Sequence, residues 1–424
     1  MNEGLERHYD VAVIGAGLAG LSAGLRLAES GKRTVVVAAG MGAIQLAPAT
    51  IDVLGYAPER VTAPATALQD FATAHPEHPY ARVPVEAIAA SIEWFKERVG
   101  AVRYAGSLEA NLVLPTALGA PKPTAVVPES MAGGDLRSGR ALAIGGFRTL
   151  KDFYPAYLVG NLDGLSIEGA PDVAARAFEI DVPVHDADVT PLRLARLFDD
   201  AEFRKAVIAD AHVKIHGAGA VGFPAVLGLE DPTTVWQELQ DGLGRDVFEI
   251  PTLPPSVPGI RLFRSLKGAL RQAGATLVMG GKVVGAETTA RRVLAVVARS
   301  AARPIAYHAG HFVLASGGFA SGGLEMDSRG DIKEVVFGLP LRAVPGRGER
   351  FKPQLLDRHP MATAGIATDD RLRPVDGGGN VVYENVFVAG ATLAGAEPWR
   401  EKSGDGISLA TGHRAASQII EEAT

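Results

Sequence analysis

The chain has 424 residues, 50 of them glycine against a usual share of ~7 per cent, and it contains no cysteine. The missing thiols exclude disulfides, Cys-ligated metal or iron–sulfur centres and a catalytic thiol within this polypeptide, so redox chemistry requires an organic cofactor. A net charge of -6 without a basic block argues against nucleic acid as a partner, and 47% hydrophobic residues suffice for a sizeable core.

In chain order, Tyr9 to Ile14 predicts a strand, Leu18 to Ser30 a helix stopped by Gly31, and Thr34 to Val37 a second strand, which together make a βαβ opening. Val11 to Leu25 comes nearest to a membrane segment, but it falls short of the ~20 apolar residues needed and holds four glycines. No signal peptide is expected, and the reading is a cytoplasmic chain. Ala63 to Pro84, rich in Ala, Pro and His, reads as a connector. Val85 to Val99 predicts a helix with Ile88, Ile92 and Phe95 on one face. Next come a strand over Arg140 to Ile144 ending at Gly145 and Gly146, a helix near Lys151 and another over Pro191 to Asp199. Val221 to Leu227, Thr233 to Leu239 and Asp246 to Ile250 form a second βαβ.

The proline-stiffened loop IPTLPPSVPGIRL leads through Ser256, a candidate cap, into a helix with Ile260, Phe263, Leu266 and Leu270 on its apolar face. From Ala275 three short strands read as an antiparallel meander running into HFVLASGG. The last section holds a turn at Gly377 to Gly379, a strand over Asn385 to Ala389 and a helix from about Gly406.

The chemistry centres on glycine. Gly15, Gly17 and Gly20, with Ala16, Leu18 and Ala19 between them, form GxGxxG directly after a strand and at the head of a helix. Such a loop lets backbone approach a phosphate, and the helix terminus offers unpaired N–H groups and positive dipole. An acid is expected ~20 residues on, where it holds ribose hydroxyls, but the second strand runs into Ala38, Ala39 and Gly40. That omission fits a mononucleotide flavin, or FAD held without this contact. Thr50 and Asp52 follow in ATIDVLG. The histidines lack an accompanying acid pattern, and no metal site is predicted.

Two later segments resemble flavoproteins: HFVLASGG, where Ala315, Ser316 and Gly317 recross the glycine loop, and ENVFVAGATLAG with GDGISLATGHRAA. In the latter, Gly390 ends a strand and a helix start at Gly406, Ile407 and Ser408 faces the flavin, stabilising negative charge there. The expected fold is α/β, a discontinuous Rossmann-like flavin-binding domain (1–62 and 274–424) with an inserted middle α/β domain (63–273).

Together with the proline motif, LASGGFASGGL, GIATDDRLRP, HPEHPY and ATIDVLG, these segments resemble the B-subunit family of anaerobic glycerol-3-phosphate dehydrogenases, within the fumarate reductase-like FAD-dependent oxidoreductases. The resemblance implies a flavin subunit using FMN, with FAD as the alternative. It also implies a larger FAD-containing partner and an iron–sulfur membrane-anchoring partner, which would hold the chain at the inner face of the cell membrane. The implied reaction oxidises sn-glycerol 3-phosphate to dihydroxyacetone phosphate, with electrons passed to quinone. Relay or structural service to a catalytic partner, or a free-standing flavoenzyme on another substrate, are the alternatives. Hydride transfer from the alcohol carbon needs a base and cations for the phosphate. His359 is the candidate base, and Arg261 and Arg373 are candidate phosphate ligands.

Overall fold

A computed structural model describes residues 5–100, 102–184, 188–300 and 303–422. The chain divides into two compact units, a nucleotide unit of 1–43, 65–98 and 266–424 and a middle unit of 44–64 and 99–265.

The nucleotide unit is built on seven strands. β1 (Leu5–Ile14), helix α1 (Leu18–Glu29) and β2 (Thr34–Ala38) form the opening βαβ. The sheet order is Thr276–Met279, β2, β1, Ile305–Leu314, Arg292–Arg299, Lys282–Thr289. Ile305–Leu314 lies parallel to β1 and divides its other edge, pairing antiparallel with Arg292–Arg299 through Ile305 to His308 and parallel with Val386–Val388 through Phe312 to Leu314. Val11, Val13, Val35, Val36 and Val37 are fully buried, as near-continuous apolar strands covered on both faces should be. Thr276–Met279 corrects the expected meander, because it pairs parallel with β2 and only the next strands are antiparallel.

Pro64–Ala74 is a helix rather than an open connector; proline at its first turn costs no intrahelical hydrogen bond and alanine favours the rest. This helix and Val85–Arg98 cluster with the nucleotide unit, whereas the sequence reading placed 63–273 in the middle domain. In Val85–Arg98, Ile88, Ile92 and Phe95 are buried as their spacing predicts, and the Trp94 indole N–H donates to Glu29 (2.9 Å).

The middle unit has its own parallel sheet, ordered Asp246–Ile250, Ala220–Pro224, Leu142–Phe147, Ala175–Ile180. Its core gathers Phe147, Phe178, Phe198, Phe223 and Phe248. Leu142–Phe147 runs through Gly145 and Gly146 instead of stopping there, because both pair in the ladder with Phe178 and Glu179, and Gly145 leaves room for the Phe178 ring, which would lie 2.6 Å from a Cβ there. The helix near Lys151 begins later, at Pro155. The helix Val257–Gln272 starts as expected, with Ser256 Oγ accepting from the Gly259 N–H (3.1 Å).

Candidate functional site

The glycine loop leaves the C-terminal end of β1. Gly15 has φ +111°, and a Cβ there would sit 2.2 Å from Ala315 O; one on Gly20 would sit 2.0 Å from Gly15 O. Both positions are glycine because backbone packs on backbone. Gly17 differs. A Cβ there would meet nothing within 4 Å, and as N-cap of α1 it provides no side-chain hydrogen bond, so the first-turn N–H groups stay open to an outside acceptor.

Ala315 N–H donates to Ile14 O (2.9 Å), which lays the 315–317 turn across this loop. Gly317 has φ +77°, and Ser316 Oγ is buried without a hydrogen-bond partner. Gly390 has φ +76°; its Cβ would lie 2.9 Å from the Ala19 methyl and 3.7 Å from Ser408 Oγ, and its N–H donates to Thr411 Oγ1 (2.9 Å). The C-terminal helix, Gly404–Glu421, passes so close to α1 that a Cβ on Gly412 would stand 2.3 Å from Ala19 O. Gly15 to Gly20, Ala315 to Gly317, Gly390 and the helix turn bearing Gly406, Ile407 and Ser408 therefore converge at the C-terminal end of the parallel strands, where open α/β sheets bind ligands. Ala38 ends β2 here, buried, with its carbonyl accepting from Gly281 N–H (3.0 Å), and Ala39 and Gly40 follow exposed, with no carboxylate among them.

The entry to the C-terminal helix is held by buried polar groups. His78, from HPEHPY, places Nε2 3.2 Å from Glu401 Oε2, Ser403 Oγ donates to the same oxygen (2.7 Å), and Tyr80 OH donates to Ser403 O (3.3 Å). Burial raises the Glu401 carboxyl, but His78, the Glu397 N–H and Ser403 outweigh it and hold the group below its ordinary range.

Residues 10–407 match the FAD binding domain family. A probable B subunit of anaerobic glycerol-3-phosphate dehydrogenase from Halobacterium salinarum is 35% identical over 97% of this chain and 98% of its own length. The B subunit of Pectobacterium carotovorum is 33% identical over 98% and 99%, and that of Yersinia pseudotuberculosis 31% over 98% and 98%. The chain belongs to the B-subunit family of anaerobic glycerol-3-phosphate dehydrogenases.

The residues of this B-type chain fit the flavin that the family model describes. The open start of α1 beside Gly17 suits a phosphate, Ser316 supplies an unused buried hydroxyl, and the C-terminal helix start carries no side-chain cap. The expected catalytic side chains are each engaged by partners within the chain. Arg261 belongs to the middle unit, 5% exposed, with its guanidinium on Glu249 (2.8 and 3.1 Å) and Gly228 O, which makes it a structural staple rather than a free phosphate ligand. Arg373 donates through Nε to Asp369 Oδ2 (2.9 Å), closing its own turn. His359 uses both ring nitrogens on its own loop: Nδ1 accepts from Lys352 N–H (3.1 Å) and Nε2 donates to Leu355 O (2.9 Å). Neither nitrogen is left to take a substrate proton.

Thr50 lies in the middle unit, where its hydroxyl donates to Asp52 Oδ1 (2.9 Å) and accepts from Lys122 Nζ (3.1 Å). Lys122 also pairs with Asp52 Oδ2 at 2.6 Å. Sequence reasoning missed Lys122 because it stands 70 positions from Asp52 in an unremarked PKPT run, and the hairpin Leu112–Pro115 with Pro121–Thr124 brings it there. Among the described residues no group of three or more His, Asp or Glu side chains could hold a metal, and no helix is long and apolar enough to cross a membrane.

Proposed function

We propose that the chain is the flavin-carrying B subunit of a quinone-linked dehydrogenase that oxidises sn-glycerol 3-phosphate to dihydroxyacetone phosphate. The convergence of Gly15 to Gly20, Ala315 to Gly317, Gly390 and the C-terminal helix start, in a chain matching its B-type relatives end to end, carries this reading. A bound flavin supplies the hydride acceptor. The N–H groups beside Gly17 bind its phosphate, Ser316 orients it, and the helix start at Gly404 favours negative charge nearby. The family model speaks for FAD, whereas the carboxylate-free end of β2 favours FMN, and FMN is our reading. Mass analysis of the acid-released nucleotide checks it; FAD would overturn the mononucleotide and leave the flavin site intact.

The partners in this reading are a larger FAD subunit and an iron–sulfur subunit anchored at the membrane's inner face, since this chain has no cysteine for clusters. One observation favours a second reading: Arg261, Arg373 and His359 are all tied to intrachain partners, as in a chain that relays electrons while a partner handles the alcohol. Purified chain with glycerol 3-phosphate and a dye acceptor separates the two. Turnover without partners sinks the relay, and reduction only in the assembled complex supports it.

A further inference from the structure

Two helix starts converge at the flavin site, and neither carries a side-chain cap. α1 has Gly17 at its N-cap, with no side chain to give. The C-terminal helix has Ser403, a residue type that readily caps, yet its hydroxyl makes no bond to the helix. Elsewhere in the chain such residues do cap: Thr190 accepts from Arg193 N–H, Asp200 from Glu202 N–H and Asp231 from Thr234 N–H.

Ser403 is turned away by its neighbours. Its Oγ donates to Glu401 Oε2 (2.7 Å), and its backbone, at φ -132° and ψ -9°, lies outside the extended region that capping residues take. Lys402, between the two, has φ +51°, a left-handed backbone that lysine keeps only where its surroundings hold it. The HPEHPY turn supplies the hold. His78 Nδ1 accepts from Tyr80 N–H (3.1 Å), so Nε2 carries the ring proton and donates to the same Glu401 oxygen as Ser403 (3.2 Å). The other oxygen accepts from Glu397 N–H (2.8 Å), and Tyr80 OH donates to Ser403 O (3.3 Å). His78 itself is 1% exposed and meets the Phe71 ring edge-on at 5.0 Å. The turn is seated so closely that a Cβ on Gly395 would stand 2.2 Å from Glu77 O.

We propose that His78 and Glu401 are positioning residues that withhold Ser403 from its own helix. The Gly406 N–H, the donor that a serine cap takes, is thereby kept for the negative charge of reduced flavin. The inference rests on the flavin reading above and names what keeps that site open.

A double-variant cycle tests it on the full chain reconstituted with FMN, reading the midpoint potential from the visible absorbance. Glu401→Ala frees the serine to cap. The potential should fall about 30 mV further in the parent chain than in a Ser403→Ala chain, equivalent to reduced FMN held about tenfold less tightly. Loss of the carboxylate charge acts alike in both backgrounds, so the difference between them reports the hydroxyl. In the flavin-free protein, Glu401→Ala should slow exchange of the Gly406 amide proton about tenfold, and adding Ser403→Ala should abolish that protection. His78→Phe keeps a ring against Phe71 and removes the donor to Glu401; it should give a smaller fall that Ser403→Ala likewise cancels, and it serves if Glu401→Ala folds poorly. Equal shifts in the two backgrounds, or Gly406 exchange that Glu401→Ala leaves unchanged, overturn the proposal. A chain that takes up no FMN sinks the flavin reading instead, and Gly406 exchange still decides whether the serine is withheld.

Discussion

Gly15 and Gly17 stand two positions apart and serve different constraints. A methyl on Gly15 runs into Ala315 O, whereas one on Gly17 meets no protein atom. Gly15→Ala is therefore expected to lower the melting temperature of the flavin-free protein, and Gly17→Ala to leave it within about 2 °C while reducing the ~450 nm flavin band after reconstitution. Equal losses of stability in both would deny Gly17 a ligand. Lys122→Met removes the cation beside Asp52, whose side chain is 9% exposed, and should cost about 3 kcal/mol in urea melts, with Lys122→Met/Asp52→Leu recovering part of it. His413 adds a pH term. Burial, helped by Arg26, holds its imidazole down to about 4, so between pH 6.5 and 4 the unfolded chain binds the extra proton and stability falls as pH drops. The loss reaches at most ~3 kcal/mol, and His413→Gln should flatten it in melts taken across that window.

At the scale of elements, α1 and the C-terminal helix touch through glycine. Gly412→Ala pushes a methyl to within 2.3 Å of Ala19 O, and a cost of ~2 kcal/mol with partial loss of flavin is expected, read by thermal melting and absorbance together. Elements whose signal is local were legible in the sequence. The opening βαβ, the helix at Val85, the cap at Ser256 and the parallel pair Ala220–Pro224 with Asp246–Ile250 follow from periodicity and capping chemistry. Sequence misled where the deciding contact is remote: Gly145 reads as a strand end until the Phe178 ring is seen over it, and Thr276–Met279 reads as a meander strand until β2 is found beside it. Gly15, Gly20 and Gly390 announced themselves because a positive φ or close backbone packing there leaves one residue type. Arg261, Arg373 and His359 did not, since a charged side chain looks the same in sequence whether it is free or already paired.

For the whole molecule, the absence of cysteine is directly testable. Reductant should not shift the melting curve, and N-ethylmaleimide should leave flavin binding by the isolated chain untouched, so that any thiol sensitivity of an assembled dehydrogenase maps to another subunit. Reconstitution of the treated chain, followed at ~450 nm, provides the measurement. The nucleotide unit also has a history written into its topology. The loop at Gly15 is made early, yet its packing partners Ala315 and Gly390 lie 300 and 375 residues further along the chain. At ~5–20 residues per second, that interval is roughly 15–75 s of synthesis on the ribosome. During that time β1 has β2 available but lacks Ile305–Leu314, so one of its two long edges stays open and invites misplaced pairing. The glycine loop therefore gains its packing partners Ala315 and Gly390 only after most of the chain has been synthesised, which is the order of assembly this topology imposes.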